Sequence, residues 1–179
     1  HDAGSGHNAD FETNVSAFPA TEVLVTAECW QAEPNADAVI HRAIEAAAEI
    51  ADADVAGAEL AVMLTDDSGI RTLNANWRSI DKPTNVLSFP ALQPEGGGGP
   101  DDAPRMLGDI AIAYDTCAAE AADQGKPFDH HVQHLLVHAT LHLLGYDHLN
   151  DPDAELMEAT ERAILSRLGI PDPYQEKDR

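Results

Sequence analysis

Basic residues are scarce in this sequence. Ten Lys and Arg stand against 32 Asp and Glu in a chain of 179 residues, so the formal net charge is -22. That much charge of one sign favours solubility and opposes non-specific contact with nucleic acid or an anionic membrane. The balance therefore excludes a protein that merely coats nucleic acid, but it leaves room for an enzyme with a local basic cleft.

Cysteine and long apolar runs are also scarce. The chain has two cysteines, Cys29 and Cys117, in no metal-type spacing, which excludes a disulfide framework and predicts two free thiols in a reducing cytosol. No run of about 18 apolar residues occurs, so we expect no membrane span. The N-terminal stretch has neither a basic start nor an apolar core, so no secretory signal is predicted. These absences predict a cytoplasmic protein with no membrane partner.

The length and the hydrophobic fraction of 44% suit one compact domain. We expect a flexible N-terminal arm at residues 1–18, a domain at 19–170 and a C-terminal tail at 171–179. Strand patterns alternate with helix patterns, and helices crowd towards the C-terminus. This order predicts an α/β protein of the α+β type, a single domain with a central mixed four-stranded sheet and packed helices.

The individual elements follow from hydrophobic period and from capping residues. Strands are predicted at 22–28 (at an edge of the sheet), 58–65, 83–90 and 106–114. Helices are predicted at 38–51, from a cap at 66–68 through Trp77, after a cap at Asp115, at 128–144 and at 152–168. The Gly-rich stretch 94–104 is predicted to be a loop. Trp77 is expected in the core, with stacking on a nucleic-acid base as the alternative.

Histidines concentrate in one region, where six of the nine fall between residues 130 and 148. His134, His138 and His142 recur every fourth residue, so each step drifts by only roughly 40° around a helix. Two imidazoles one turn apart can reach one ion. Gly145 is expected to end the helix in a left-handed conformation, after which a short turn delivers His148 as a third ligand.

Three histidines with an open fourth position are typical of a catalytic zinc site, because structural zinc sites are closed by four protein ligands. The sequence therefore predicts one zinc ion per chain, held by His138, His142 and His148. His134 is expected to line the cleft rather than to bind the ion. His130 and His131 are expected to face solvent. Asp147 is a candidate acceptor for an imidazole N–H of a ligand.

The stretch HATLHLLGYDH at 138–148 is similar in spacing to the zinc helix of metalloproteases. Those enzymes carry H-E-x-x-H, in which the Glu is the general base. Ala139 stands in that place and cannot accept a proton, so a peptidase is disfavoured. A zinc hydrolase of peptides or small molecules stays open as an alternative.

Three motifs together resemble the YbeY family of bacterial endoribonucleases: HATLHLLGYDH, NANWRSIDKPTNVLSFP at 74–90 and LGDIAIAYD at 107–115. The resemblance extends from about residue 23 to about residue 168, with Ala139 where the family usually has Gly. It implies a metal-dependent, single-strand-specific endoribonuclease of small-subunit rRNA maturation and ribosome quality control. A non-catalytic ribosome-assembly factor with a structural zinc stays open as an alternative. It also carries over three zinc ligands, His138, His142 and His148, and a functionally important arginine, Arg78.

If the chain is such an endoribonuclease, the role of the missing general base Glu can be taken by the metal. A zinc ion lowers the pKa of bound water to near 7, so zinc-bound water is the expected nucleophile. Arg78 is expected to stabilise the phosphate, with a surface salt bridge to Asp81 as the alternative. Lys82 and Ser88 are candidate substrate contacts, and for Ser88 a buried hydroxyl bonded to the backbone is the alternative. The expected partners are single-stranded RNA, the rRNA precursor, and ribosomal proteins or the small ribosomal subunit.

Four of the ten basic residues fall within the short stretch between residues 71 and 105. Against an acidic remainder, such a cluster can focus a phosphate backbone onto one site. Its members are Arg71, Arg78, Lys82 and Arg105.

Overall fold

The computed structural model describes residues 18–91, 105–147 and 149–173. Its strands are β1 (Ala20–Val25), β2 (Ala58–Thr65), β3 (Val86–Pro90) and β4 (Arg105–Ala113). Its α-helices are α1 (Ala36–Ile50), α2 (Asp67–Arg78), α3 (Tyr114–Gln124), α4 (Phe128–Leu143) and α5 (Asp151–Arg167), with a short 3-10 helix at Glu28–Ala32. The predicted arm, tail and Gly-rich loop lie largely or wholly outside the described residues.

The four strands form one mixed sheet in the order β1-β2-β4-β3. β2 runs parallel to β1 and to β4, whereas β3 runs antiparallel to β4. The predicted single domain with a mixed four-stranded sheet is confirmed, and β1 lies at an edge as expected. Gly108 permits the close approach of β3 to β4, because a Cβ there would meet the Phe89 carbonyl oxygen at 2.3 Å.

Side chains alternate between the two faces of each strand, so the sheet has two separate apolar faces. One face carries Leu60, Val62 and Leu64 of β2 into the main core, where α1, α4 and α5 cover them. On the other face, Ile70 of α2 packs on Leu87 and on Ala111. The helices therefore form a thick layer on one side of the sheet and a single helix on the other.

The start of α2 is set by Asp66, whose side chain accepts a hydrogen bond from Gly69 N. This is the N-cap arrangement predicted from the sequence. α4 begins directly after Pro127 and ends at Leu143, and Gly145, two residues further on, has φ +104. A left-handed glycine at this position lets the chain turn back, as the sequence predicts. α5 begins with the side chain of Asn150 accepting from Asp153 N.

Three local predictions are wrong. His131 was expected in solvent but is 4% exposed, because Glu120 on α3 gives its imidazole a partner in the interior. Trp77 was expected in the core but is 70% exposed, because it lies in the last turn of α2, beyond the buried Ile70. Asp115 lies in the first turn of α3, whose N-cap is Ala113.

Within the described residues, no helix is both long enough and apolar enough to cross a bilayer.

Candidate active site

A cleft of about 620 Å³ lies between β3 and α4, with the end of α2 at its rim. β3 supplies one wall and α4 supplies a row of side chains along the other. The lining residues of the described chain are Arg78, Asn85, Val86, Leu87, Ser88, Pro90, His134, Leu135, His138, Ala139 and His142. The helical stripe of histidines predicted from the sequence therefore faces a single concave site.

His138 is held from behind by a buried carboxylate. Its Nδ1 donates to Oε2 of Glu161 on α5, and the Glu161 side chain is 0% exposed. Because a carboxylate only accepts, this contact places the ring proton of neutral His138 on Nδ1 and the lone pair on Nε2. A carboxylate behind a histidine is the usual arrangement for a metal ligand, because it fixes the ring and raises its basicity.

His142 is held by backbone rather than by a side chain. Its Nδ1 donates to the Tyr146 carbonyl oxygen at 3.1 Å. The turn at Gly145 makes this contact possible by folding Tyr146 back over the end of α4, where Tyr146 N also donates to the Leu141 carbonyl oxygen at 2.9 Å. His142, like His138, therefore carries its lone pair on Nε2.

The two rings lie close together, with centroids 4.7 Å apart and planes at 83°. Two imidazoles on adjacent turns, each with Nδ1 bonded to an acceptor, have the chemistry of paired zinc ligands. The predicted third ligand, His148, lies outside the described residues. Residues 18–91, 105–147 and 149–173 contain no group of three His, Cys, Asp or Glu side chains arranged to hold a metal ion. Two of the three predicted ligands, His138 and His142, thus lie among the described residues and line the cleft.

His134 lines the same cleft but contacts Glu161 as well. Its Nε2 lies 3.4 Å from Glu161 Oε1, and its side chain is 16% exposed. This placement agrees with the expectation that His134 lines the cleft. Asp147 accepts from Leu149 N at 3.3 Å, so the carboxylate that orients a described candidate ligand is Glu161.

Arg78 is the last residue of α2 and reaches the rim of the cleft. The alternative pairing of Arg78 with Asp81 is wrong, because Asp81 is engaged by both Nε and Nη2 of Arg71 at 2.8 and 3.2 Å. This contact lowers the pKa of Asp81 through its hydrogen bond to Arg71. Among the described residues, Arg78 forms no ion pair or side-chain hydrogen bond, so its guanidinium is available to a ligand.

The remaining basic residues of the predicted cluster point elsewhere. Arg105 donates to the Asp54 carbonyl oxygen, and Lys82 is exposed without lining the cleft. Lys82 is therefore not placed as a cleft contact, whereas Ser88 lines the wall on β3. In the described part of the cleft no lining residue is Asp or Glu, although the chain carries a net charge of -22.

A buried polar network lies behind the β3 wall. Glu120 Oε1 accepts from His131 Nε2 at 2.8 Å and from Asn85 Nδ2 at 3.0 Å. Asn85 Oδ1 accepts from Val86 N, so the whole Asn85 amide is engaged in fixing the wall. Burial lowers the pKa of His131, although its hydrogen bond to Glu120 opposes the shift. Burial raises the pKa of the neighbouring Cys117 thiol to about 12.

Sequence reasoning missed Glu161, although a signal for it exists. Glu161 lies on the same helical face as Met157, Ile164 and Leu165, which are all fully buried. A lone acid on an apolar stripe is costly unless it has a partner. Its position therefore predicts a buried counterpart, which the structure supplies as two histidines.

The fold and the cleft together define the class of protein: a single-domain α+β protein with a candidate metal site in a cleft lined by histidines and by Arg78. The model of the family described as Endoribonuclease YbeY matches residues 24–169. The chain therefore belongs to the Endoribonuclease YbeY family.

Relatives that carry this name are similar over nearly the whole chain. An Endoribonuclease YbeY of Rhodopseudomonas palustris (strain BisB18) is 70% identical over 161 residues, which is 90% of this chain and 95% of that protein. One of Nitrobacter hamburgensis is 69% identical over 91% of this chain and 86% of its own length. A solution structure of a Thermotoga maritima protein matches with TM-score 0.53 and 19% identity, covering 87% of this chain and 99% of that one. The last likeness concerns the fold alone.

Proposed function

We propose that this protein is a zinc-dependent endoribonuclease that cleaves single-stranded RNA during small-subunit rRNA maturation and ribosome quality control in the cytoplasm. Its family is named for endoribonuclease activity. The observation that carries the proposal is the cleft itself, which brings Arg78 together with His138 and His142 and has no carboxylate among its described lining residues. Such a lining favours a polyanionic substrate.

His138, His142 and His148 are the residues that would hold the zinc. When bound, zinc supplies Lewis acidity, which lowers the pKa of water and polarises a phosphoryl oxygen. Glu161 and the Tyr146 carbonyl fix the rings of His138 and His142. Ala139 beside His138 is 2% exposed and belongs to the core, so the place of the metalloprotease base serves packing in this chain.

Arg78 supplies the fixed positive charge for the reacting phosphate. A guanidinium binds two phosphate oxygens at once, and the contact strengthens as negative charge builds in the transition state. Ser88 adds a hydroxyl donor from the opposite wall. The domain at 19–170 carries all of these groups, and ribosomal proteins or the small ribosomal subunit would present the RNA.

The proposal is tested by cleavage of an unstructured RNA, with metal analysis of the same preparation. We expect zinc bound at about one ion per chain, and loss of both metal and cleavage in His142→Ala. Arg78→Ala should keep its metal and lose about 10²- to 10³-fold in kcat, the usual cost of removing one transition-state contact. Arg71→Ala is the matched control, since it removes the same charge from the same helix outside the cleft.

The alternatives give different results in the same experiment. A zinc hydrolase of other substrates would cleave a peptide library or casein and leave RNA intact. If the protein is a scaffold with a structural zinc, the His148→Ala variant should be unfolded. The Arg78→Glu variant should then leave any RNA phenotype unchanged. RNA cleavage equal to wild type in folded Arg78→Glu would overturn the proposed role of Arg78.

A further inference from the structure

A second concave surface lies on the sheet face that α2 covers only in part. It is an apolar groove of about 550 Å³ that runs from Leu24 on the edge strand β1, past Met63, to Phe89 on β3. Leu73 and Trp77 of α2 form its other side. The three strand spacings from β1 to β3 give it a length of about 14 Å. We call this surface the aromatic groove.

The aromatic groove ends in two rings. Trp77 and Phe89 have centroids 5.9 Å apart with planes tilted by 53°, and Trp77 is 70% exposed. An indole this exposed contributes little to the core. An exposed aromatic side chain standing on a sheet face is a platform on which a nucleic-acid base can stack, because every base has a flat π-surface.

The aromatic groove continues directly from the candidate active site. Pro90 lines both the cleft and the groove. Trp77 and Arg78 are consecutive in the last turn of α2, so their side chains leave the helix about 100° apart, one towards the groove and one towards the cleft. When a phosphate of a single-stranded RNA lies at Arg78, a neighbouring base of that RNA therefore lies beside Trp77.

The charge of the aromatic groove favours the binding of bases over the binding of phosphates. Its only charged lining residue in the described chain is Asp109, which is exposed. A carboxylate repels the phosphodiester backbone, whereas apolar and aromatic walls suit base rings. The two surfaces therefore divide the binding task, with phosphate at Arg78 and bases on the groove.

On these grounds we propose that the aromatic groove is a base-stacking subsite for single-stranded RNA, in which Trp77, backed by Phe89, stacks a nucleotide adjoining the one bound in the cleft. The proposal rests on the proposed endoribonuclease function. It also explains a preference for single strands, since bases paired inside a duplex cannot present a face to Trp77.

Tryptophan fluorescence tests the proposal directly. The second tryptophan, Trp30, is 3% exposed and donates through Nε1 to the Thr65 carbonyl oxygen, so Trp77 is the reporter. Binding of a short oligoadenylate in the presence of a chelator, which prevents cleavage, should quench the emission. An abasic oligonucleotide of equal length should not quench it.

The variants separate stacking from charge. We expect Trp77→Ala to weaken oligoadenylate binding between about 5-fold and about 150-fold, corresponding to about 1–3 kcal/mol per stacked base, with an unchanged salt slope. Arg78→Ala should reduce that slope by about one. Trp77→Phe should keep much of the affinity. Val25→Ala is the control, because Val25 is 59% exposed and, one residue along β1 from Leu24, faces the opposite side of the sheet.

The same variants keep this inference apart from the proposed function. If wild type cleaves RNA and Trp77→Ala cleaves it with unchanged KM, the stacking subsite is overturned and the endoribonuclease stands. If wild type neither binds nor cleaves RNA, both are overturned. If Trp77→Ala instead abolishes self-association in sedimentation, the aromatic groove is an interface for a second copy and the proposal is overturned.

Discussion

Replacing Glu161 with Gln should separate metal affinity from fold stability. The carboxylate is 0% exposed and accepts a hydrogen bond from Nδ1 of His138. Gln keeps the volume and one acceptor oxygen but removes the charge that polarises the imidazole. Loss of such a partner behind a ligand typically weakens metal binding by about 10- to 100-fold, which is about 1.4 to 2.7 kcal/mol.

Glu161→Gln should weaken metal binding, but it should not lower the unfolding temperature of the metal-free protein. A buried carboxylate costs several kcal/mol to desolvate, and its histidine partners return only part of this. Apo Glu161→Gln should therefore unfold at the same temperature as apo wild type or higher. The stabilisation gained on adding zinc should shrink by the same 1.4 to 2.7 kcal/mol, approximately, because linkage converts the dissociation constant into folding free energy.

Two measurements decide the matter: competition with a chromophoric chelator for the zinc dissociation constant, and calorimetric unfolding with and without zinc. Glu158→Gln is the matched control on the same helix, because Glu158 is partly exposed and pairs with Arg162 at 3.7 Å. A dissociation constant within about threefold of wild type, in a folded Glu161→Gln protein, would refute the reasoning.

Three further predictions concern the surroundings of the cleft. Burial lowers the folded-state pKa of His131 below its ordinary 6.5, so stability should fall as pH drops through 6.5. His131→Gln should show a smaller change in Tm between neutral and acidic pH, and an equal change would contradict this. Gly145→Ala places a side chain at φ +104 and should destabilise the protein by about 1–2 kcal/mol and weaken zinc binding through His142, measured by the same competition. Cys117, with a pKa of about 12, should resist thiol reagents at pH 8 in a Cys29→Ser background until denaturant is added; labelling of the native protein would show that the burial argument is wrong.

The regular elements could be predicted closely wherever local pattern decides the structure. β2 was predicted at 58–65 and lies at Ala58–Thr65, and α4 differs from its prediction by one residue. Both have unbroken hydrophobic periods with clear end signals. β3 was predicted to begin at residue 83, which is three residues before the observed start at Val86.

Of the candidate site, the sequence yields the groups that repeat at helical spacing and little of what holds them. His138, His142 and Arg78 were identified, and they line one cleft. The contact of Glu161 with His138 depends on how α5 docks on α4, which no local pattern encodes. The burial of His131 likewise depends on a partner from another helix, Glu120.

Glu161 also connects two helices, because it lies on α5 and its carboxylate accepts a hydrogen bond from His138 on α4. Metal affinity and the docking of α5 are therefore thermodynamically linked. If undocking of α5 lowers the metal-binding constant by a given factor, metal binding must raise the equilibrium constant for docking of α5 by the same factor. Truncation of the C-terminal helix would remove Glu161 from behind His138, so it should weaken metal binding as well as the main core, to which Met157, Ile164 and Leu165 contribute.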